Sequence, residues 1–242
     1  MKLKSKLLLA LLATSSAAFA QTAPAAPEVT YNVGVVSQYR YRGLAQGKGQ
    51  PALQGGVDYA NAGGYYLGAW ASQIKWIEDQ SATSSGKTEL DLYGGYKFKA
   101  SDLDFDLGFL RYQYVGNNLN PNANTNEVYG AVTSGAHTFK WSYAMTNLFG
   151  AANTKGADYV DWTANYDLGG GLTLSPHLGR AIVKNNLSYT DGALTLGKDM
   201  GGGLTATATA IVTNAKSNAF NGPVSGYATG KSAVVVGLKY GF

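Results

Sequence analysis

From Val29 onward the chain alternates apolar and polar residues with a period of two, in runs of roughly eight to twelve separated by Gly-, Asn- and Ser-rich breaks. The clearest run is Leu103 to Phe109, in which Leu103, Phe105, Leu107 and Phe109 alternate with Asp104, Asp106 and Gly108. Val234 to Phe242 repeats the pattern, with Val234, Val236, Leu238, Tyr240 and Phe242 on one face and Val235, Gly237, Lys239 and Gly241 on the other. Such alternation places successive side chains on opposite faces of a strand. Leu90, Leu92, Tyr96 and Phe98 are likewise set against Glu89, Asp91, Tyr93 and Lys97, and Val160, Trp162, Ala164 and Tyr166 against Asp161, Thr163, Asn165 and Asp167. The first strand is expected to run from Val29 to Arg42, with Tyr39 on its apolar face and Arg40 and Arg42 on its polar one. The return strand from Pro51 puts Leu53, Val57 and Tyr59 on the apolar side. Tyr65 to Trp76 is aromatic at both parities, so the pattern leaves its facing unassigned.

The polar faces decide the fold class. They carry Asp, Glu, Arg, Thr and Asn in numbers that a dry core does not accommodate, which argues against a soluble sandwich. Inside lipid every backbone N–H and C=O needs an internal partner, so β-structure crosses only as a closed barrel. Connections of about ten residues alternate with connections of about four, as outer loops alternate with periplasmic turns. The repeat Asp167-Leu-Gly-Gly-Gly-Leu-Thr173, echoed by Asp199-Met-Gly-Gly-Gly-Leu-Thr205, places two turns on one side, one hairpin apart. The expectation is an all-β protein, a transmembrane antiparallel up-and-down barrel of about twelve strands.

Composition supports this. Lys2, Lys4 and Lys6, an apolar stretch from Leu7 to Leu12 and Ala18-Phe19-Ala20 make residues 1–20 a cleaved signal peptide, followed by a flexible lead-in over 21–27 and the barrel over 28–242. Three of the 19 Lys and Arg residues fall in that leader, which leaves a net charge of about +1 against 15 acids and no basic arm for nucleic acid. Without cysteine there is no disulfide framework and no thiolate site. The 32 glycines, 17 tyrosines and low charged fraction of 14% suit a barrel whose strands are only half apolar. The expected location is the bacterial outer membrane.

Rings of lumenal charge set the selectivity of a pore. By parity the inward carboxylates include Asp58, Glu89, Asp91, Asp104, Asp106, Glu127, Asp161, Asp167 and Asp191, and the inward cations Arg40, Arg42, Lys97, Lys140 and Lys239. A constriction is expected from Arg40, Arg42, Gln54, Asp58, Glu89, Asp91, Glu127, Asp161 and Asp191, weakly favouring cations. The alternative is that these charges pair with one another and close the lumen. An enzyme is disfavoured: His137 and His177 are the two histidines, and no His–Ser pair shares an outward rim. No cofactor is expected. The expected partners are outer-membrane lipid, the barrel-assembly machinery, and ions or small polar solutes.

Two resemblances extend these readings. Gly237, Tyr240 and Phe242 resemble the C-terminal signal by which outer-membrane barrels are recognised for insertion. Ser37-Gln-Tyr-Arg-Tyr-Arg-Gly43, Pro51-Ala-Leu-Gln-Gly-Gly-Val-Asp-Tyr59, Glu89-Leu-Asp-Leu-Tyr-Gly-Gly-Tyr96, Tyr112-Gln-Tyr114, Glu127-Val-Tyr129, His177-Leu-Gly179 and Tyr189-Thr-Asp191 resemble the TorF-type putative porins of proteobacteria. Val115 stands where that motif carries a proline. The resemblance implies an outer-membrane barrel presumed to be a porin, and brings no substrate or catalytic residue.

Overall fold

A computed structural model describes residues 27–215 and 220–242. The expected signal peptide and nearly all of the lead-in lie outside the described residues. Twelve strands follow one another: β1 Glu28–Val36, β2 Ala52–Ala60, β3 Tyr65–Gln73, β4 Thr88–Ala100, β5 Leu103–Val115 and β6 Thr125–Ser134. They continue as β7 His137–Ala144, β8 Asp158–Ala164 (prolonged beyond Asn165 by Tyr166–Gly169), β9 Leu172–Ile182, β10 Tyr189–Gly201, β11 Leu204–Thr213 and β12 Ala233–Gly241. Each pairs antiparallel with its neighbours in sequence, and β1 pairs with β12, so the sheet closes as a transmembrane up-and-down barrel. At the seam Tyr31 and Phe242 exchange backbone hydrogen bonds of 2.8 and 3.0 Å, and their rings stack at 5.7 Å.

The outer surface is the apolar face read from the alternation. Val29, Tyr31, Val33 and Val35 of β1 and Val234, Val236, Leu238 and Tyr240 of β12 are all exposed. A contiguous apolar belt of this kind would be adhesive in water and is at rest in hydrocarbon. Gly237 is buried on the opposite face.

Three strand glycines and three inward tyrosines are matched across the sheet. Tyr66 sits opposite Gly95, Tyr93 opposite Gly68, and Tyr129 opposite Gly108. In each pair the inward ring lies across its partner's backbone, so that a Cβ on Gly68 would come within 2.3 Å of the Tyr93 ring. Aromatic cover over a strand glycine restores packing that the missing side chain forfeits. The repeated turns also share one geometry. Gly169, Gly170 and Gly171 have φ of 82°, 60° and 77°, and Gly201, Gly202 and Gly203 of 83°, 61° and 87°. Three consecutive left-handed residues need glycine. Asp167 Oδ1 accepts the Gly169 N–H and Asp199 Oδ1 the Gly201 N–H, both at 2.8 Å.

Two features differ from the alternation. β1 ends at Val36, not Arg42, and residues 37–51 turn into the barrel, carrying a short hairpin in which Arg40–Tyr41 pairs with Leu44–Ala45. Tyr39 is therefore inside, 2% exposed, instead of facing lipid. The facing of β3 is also settled: Tyr66, Trp70 and Ser72 contribute to the interior, and Tyr65 and Leu67 face outward.

Candidate functional site

The inward segment 37–51 positions the site. Its hairpin turns through Arg42 and Gly43, with φ of 45° and 79°. A Cβ on Gly43 would fall 2.6 Å from Cβ of Asp191, so the tip rests against β10 at a spot that admits glycine alone. Arg42 then extends across the lumen to β6, donating from Nη1 to Glu127 Oε1 at 3.0 Å and from Nη2 to Oε2 at 2.8 Å. Its guanidinium also lies 4.8 Å from the Tyr41 ring centre and 4.2 Å from that of Tyr159. The Glu127 carboxylate supplies the counter-charge to this guanidinium, which is charged at any ordinary pH.

Tyrosines tie the hairpin to the walls. The Tyr41 and Tyr112 hydroxyls are 2.7 Å apart, and Tyr112 donates to Glu127 Oε2 at 3.2 Å. Tyr39 donates to Glu89 Oε1 at 2.7 Å and meets Trp70 edge-on at 5.4 Å. Across the lumen Tyr159 donates to Asp191 Oδ2 at 3.0 Å, and His177 lies 3.2 Å from Asp191 and 3.1 Å from the Tyr159 hydroxyl. Asp161 stands directly opposite Lys140 in the β7–β8 register. Gln54 bonds Ser72 at 3.2 Å.

The structure therefore gathers Arg42, Glu89, Glu127 and Asp191 around the hairpin, with Gln54, Asp91 and Asp161 on the same stretch of wall. Asp91 is buried, and its Oδ1 has no hydrogen-bond partner among the described residues. Asp58 belongs instead to a tier nearer the short turns: it accepts from Tyr93, while Tyr66 bonds both Asp106 and Tyr129.

Arg40 and Arg42 do not project from a barrel strand as expected. Arg40 donates to the carbonyl oxygens of Gly43, Thr229 and Lys231 at 3.2, 3.0 and 2.7 Å, so it anchors the segment to the last outer loop. Tyr39 and Tyr41 were not expected in the site. The run Tyr39-Arg40-Tyr41-Arg42 preserves a period of two because the hairpin is itself extended, and strand length is the one signal against it. A strand from Val29 to Arg42 would overrun β2, which has nine residues.

A second anchor lies in the outer loops. Asp79 accepts the Ser225 N–H at 2.8 Å and the Ser225 hydroxyl at 2.6 Å, and pairs with Lys48 of the inward segment at 3.0 Å. Burial opposes ionisation of Asp79, yet the Ser225 and Lys48 hydrogen bonds prevail and hold its carboxyl below the usual range. Among the described residues no group of three or more His, Cys, Asp or Glu is placed to hold a metal ion.

The fold is shared with solved outer-membrane porins. The KdgM porin in complex with disordered oligogalacturonate superposes with a TM-score of 0.54 at 10% identity, covering 88% of this chain and 98% of that one. The NanC porin gives 0.54 at 11% identity, with coverage of 89% and 99%. Identities this low establish a common fold. Comparison of the sequence with curated proteins yields no match. The model of a family of bacterial proteins of unknown function, Gcw_chp, matches residues 20–242, and the chain belongs to that family.

Proposed function

We propose that this protein is an outer-membrane channel of the kind its TorF-type resemblance implies, passing ions or small polar solutes passively and doing no chemistry on them. The observation that carries this reading is the hairpin of residues 37–51 standing inside the barrel with Arg42 bridged to Glu127. A segment so placed narrows the lumen, with the Tyr39 and Tyr41 rings packed on the walls and Arg42 supplying charge. Charged groups at a narrowing select solutes by sign.

The sign follows from pairing. Arg42 is neutralised by Glu127, and Asp161 faces Lys140. Glu89, Asp91 and Asp191 then remain without a Lys or Arg counter-charge in hydrogen-bond contact, against Arg40, which is held by carbonyl oxygens alone, and this balance favours cations. The KdgM porin is described with an oligogalacturonate, an anionic sugar. The carboxylate excess here opposes that solute class.

Reversal potentials in planar bilayers under a salt gradient test the assignment. Arg42→Ala leaves Glu127 unpaired and should increase cation preference, whereas Glu127→Gln leaves Arg42 unpaired and should shift preference toward anions. Opposite shifts support the constriction, and identical reversal potentials for both variants and the parent would remove Arg42 and Glu127 from the conduction path.

A further inference from the structure

Three outer loops border a half-open cavity of about 450 Å3 between residues 74–87, 116–124 and 145–157, adjoining the lumenal site where Phe149 packs on the Tyr41 and Tyr112 rings at 5.6 and 5.3 Å. Its size falls within the span of roughly 300–1,000 Å3 typical of small-molecule sites. The wall has two kinds of surface. Trp76 and Phe149 supply aromatic rings, 6.5 Å apart between centres, and Trp76 is braced edge-on at 5.0 Å by Tyr114. Gln80, Ser84, Asn118 and Asn120 supply amides and hydroxyls. No Asp, Glu, Lys or Arg contributes to the lining.

The polar groups are partly held and partly free. Asn118 is fixed at both ends of its amide, donating to the Thr83 carbonyl at 2.9 Å and accepting the Ser85 N–H at 2.9 Å. Gln80 donates to the Trp76 carbonyl at 3.2 Å, which leaves its own amide oxygen as an acceptor. The exposed Asn120 side chain makes no hydrogen bond among the described residues. The Trp76 indole N–H is buried with no acceptor among them. Trp76 therefore offers the cavity its ring, the N–H being shielded from it.

We propose that this cavity binds a neutral saccharide of one or two rings. A pyranose has one apolar C–H face suited to an aromatic ring and an edge of hydroxyls suited to amides, which is the division of this wall. An anionic sugar, an amino acid or a phosphate would be partly desolvated with no counter-charge in the lining, which disfavours it against a neutral guest. The proposal is independent of whether the lumen conducts, because the cavity belongs to the loops.

Titration calorimetry tests it, with the refolded full-length chain in an amine-oxide detergent that carries no sugar headgroup. The probes are maltose, lactose and cellobiose, with digalacturonate for comparison. At least one neutral disaccharide should bind saturably in the millimolar range and digalacturonate at least tenfold more weakly. Trp76→Ala should abolish the signal. Because that change risks the loop's own packing, Gln80→Ala with Asn120→Ala is the second arm. Both positions are exposed, and losing two hydrogen bonds should weaken binding roughly tenfold. Absence of binding by all three neutral sugars to the folded barrel, tighter binding of digalacturonate, or affinity unchanged in the Gln80/Asn120 variant would each overturn the proposal.

Discussion

Arg42 and Glu127, 85 positions apart in sequence, meet inside the barrel through two parallel hydrogen bonds, Nη1 to Oε1 and Nη2 to Oε2. Both side chains are almost fully enclosed. Removing one partner of a buried pair leaves an uncompensated charge, at a cost of about 3–5 kcal/mol, whereas removing both costs far less. The double variant Arg42→Ala/Glu127→Gln should therefore regain much of the stability lost in either single variant. Urea unfolding of the refolded barrels measures this, and strictly additive losses would show that the two residues do not interact.

Asp79 fastens Ser225 and Lys48 together, so it should control the mobility of the last outer loop. Its carboxyl is held below the usual range, so the stabilisation is complete above the unfolded aspartate value of about 3.9 and is lost as pH falls through the lower folded value. The latch should hold throughout pH 5–8 and release only below about pH 4. Asp79→Asn should give the released state at neutral pH, seen as faster hydrogen exchange of the Ser225 amide, corrected for its intrinsic rate. Equal protection in the variant would show that Asp79 is not the fastening.

Tyr93 covers Gly68 so closely that a methyl group has no room. Gly68→Ala should destabilise the barrel by about 1–3 kcal/mol. Gly192→Ala is the control, since a Cβ there meets its nearest neighbours at an ordinary 3.5 Å. Denaturant midpoints compare the two, and equal effects would refute the ring-over-glycine account.

Phe242 closes the seam with Tyr31 through both backbone and ring. Deleting Phe242 should reduce the folded fraction more than Phe242→Ala, which keeps the two backbone hydrogen bonds and loses only the stacking. Heat-modifiable migration on gels reports the folded fraction, and a larger loss from Phe242→Ala would locate the effect in the ring alone.

The barrel was legible because lipid enforces the alternation that the outward residues show, from Val29 to Val35 and from Val234 to Tyr240. Parity also put Glu89, Asp91, Glu127 and Asp191 inside. It could not say which of them meet, because register between strands distant in the sheet depends on the whole closure. The inward hairpin was hidden for a different reason: an extended segment keeps the same period whether it lies in the wall or folds across the lumen. Arg42 and Gly43 break away through left-handed backbone, which an arginine gives no hint of. Aromatics suit lipid interface and lumen alike, so β3 could be oriented only once Gly95 and Tyr93 were known to face Tyr66 and Gly68.

The central claim is that the hairpin of residues 37–51 narrows a conducting lumen. Single-channel conductance in a planar bilayer tests it directly, comparing the native chain with a variant in which residues 38–49 are replaced by a short Gly-Ser linker. The account predicts discrete openings for the native barrel and conductance several-fold larger for the variant. Equal conductance in the two would place the narrowing elsewhere, and silence from both folded barrels would contradict the channel itself.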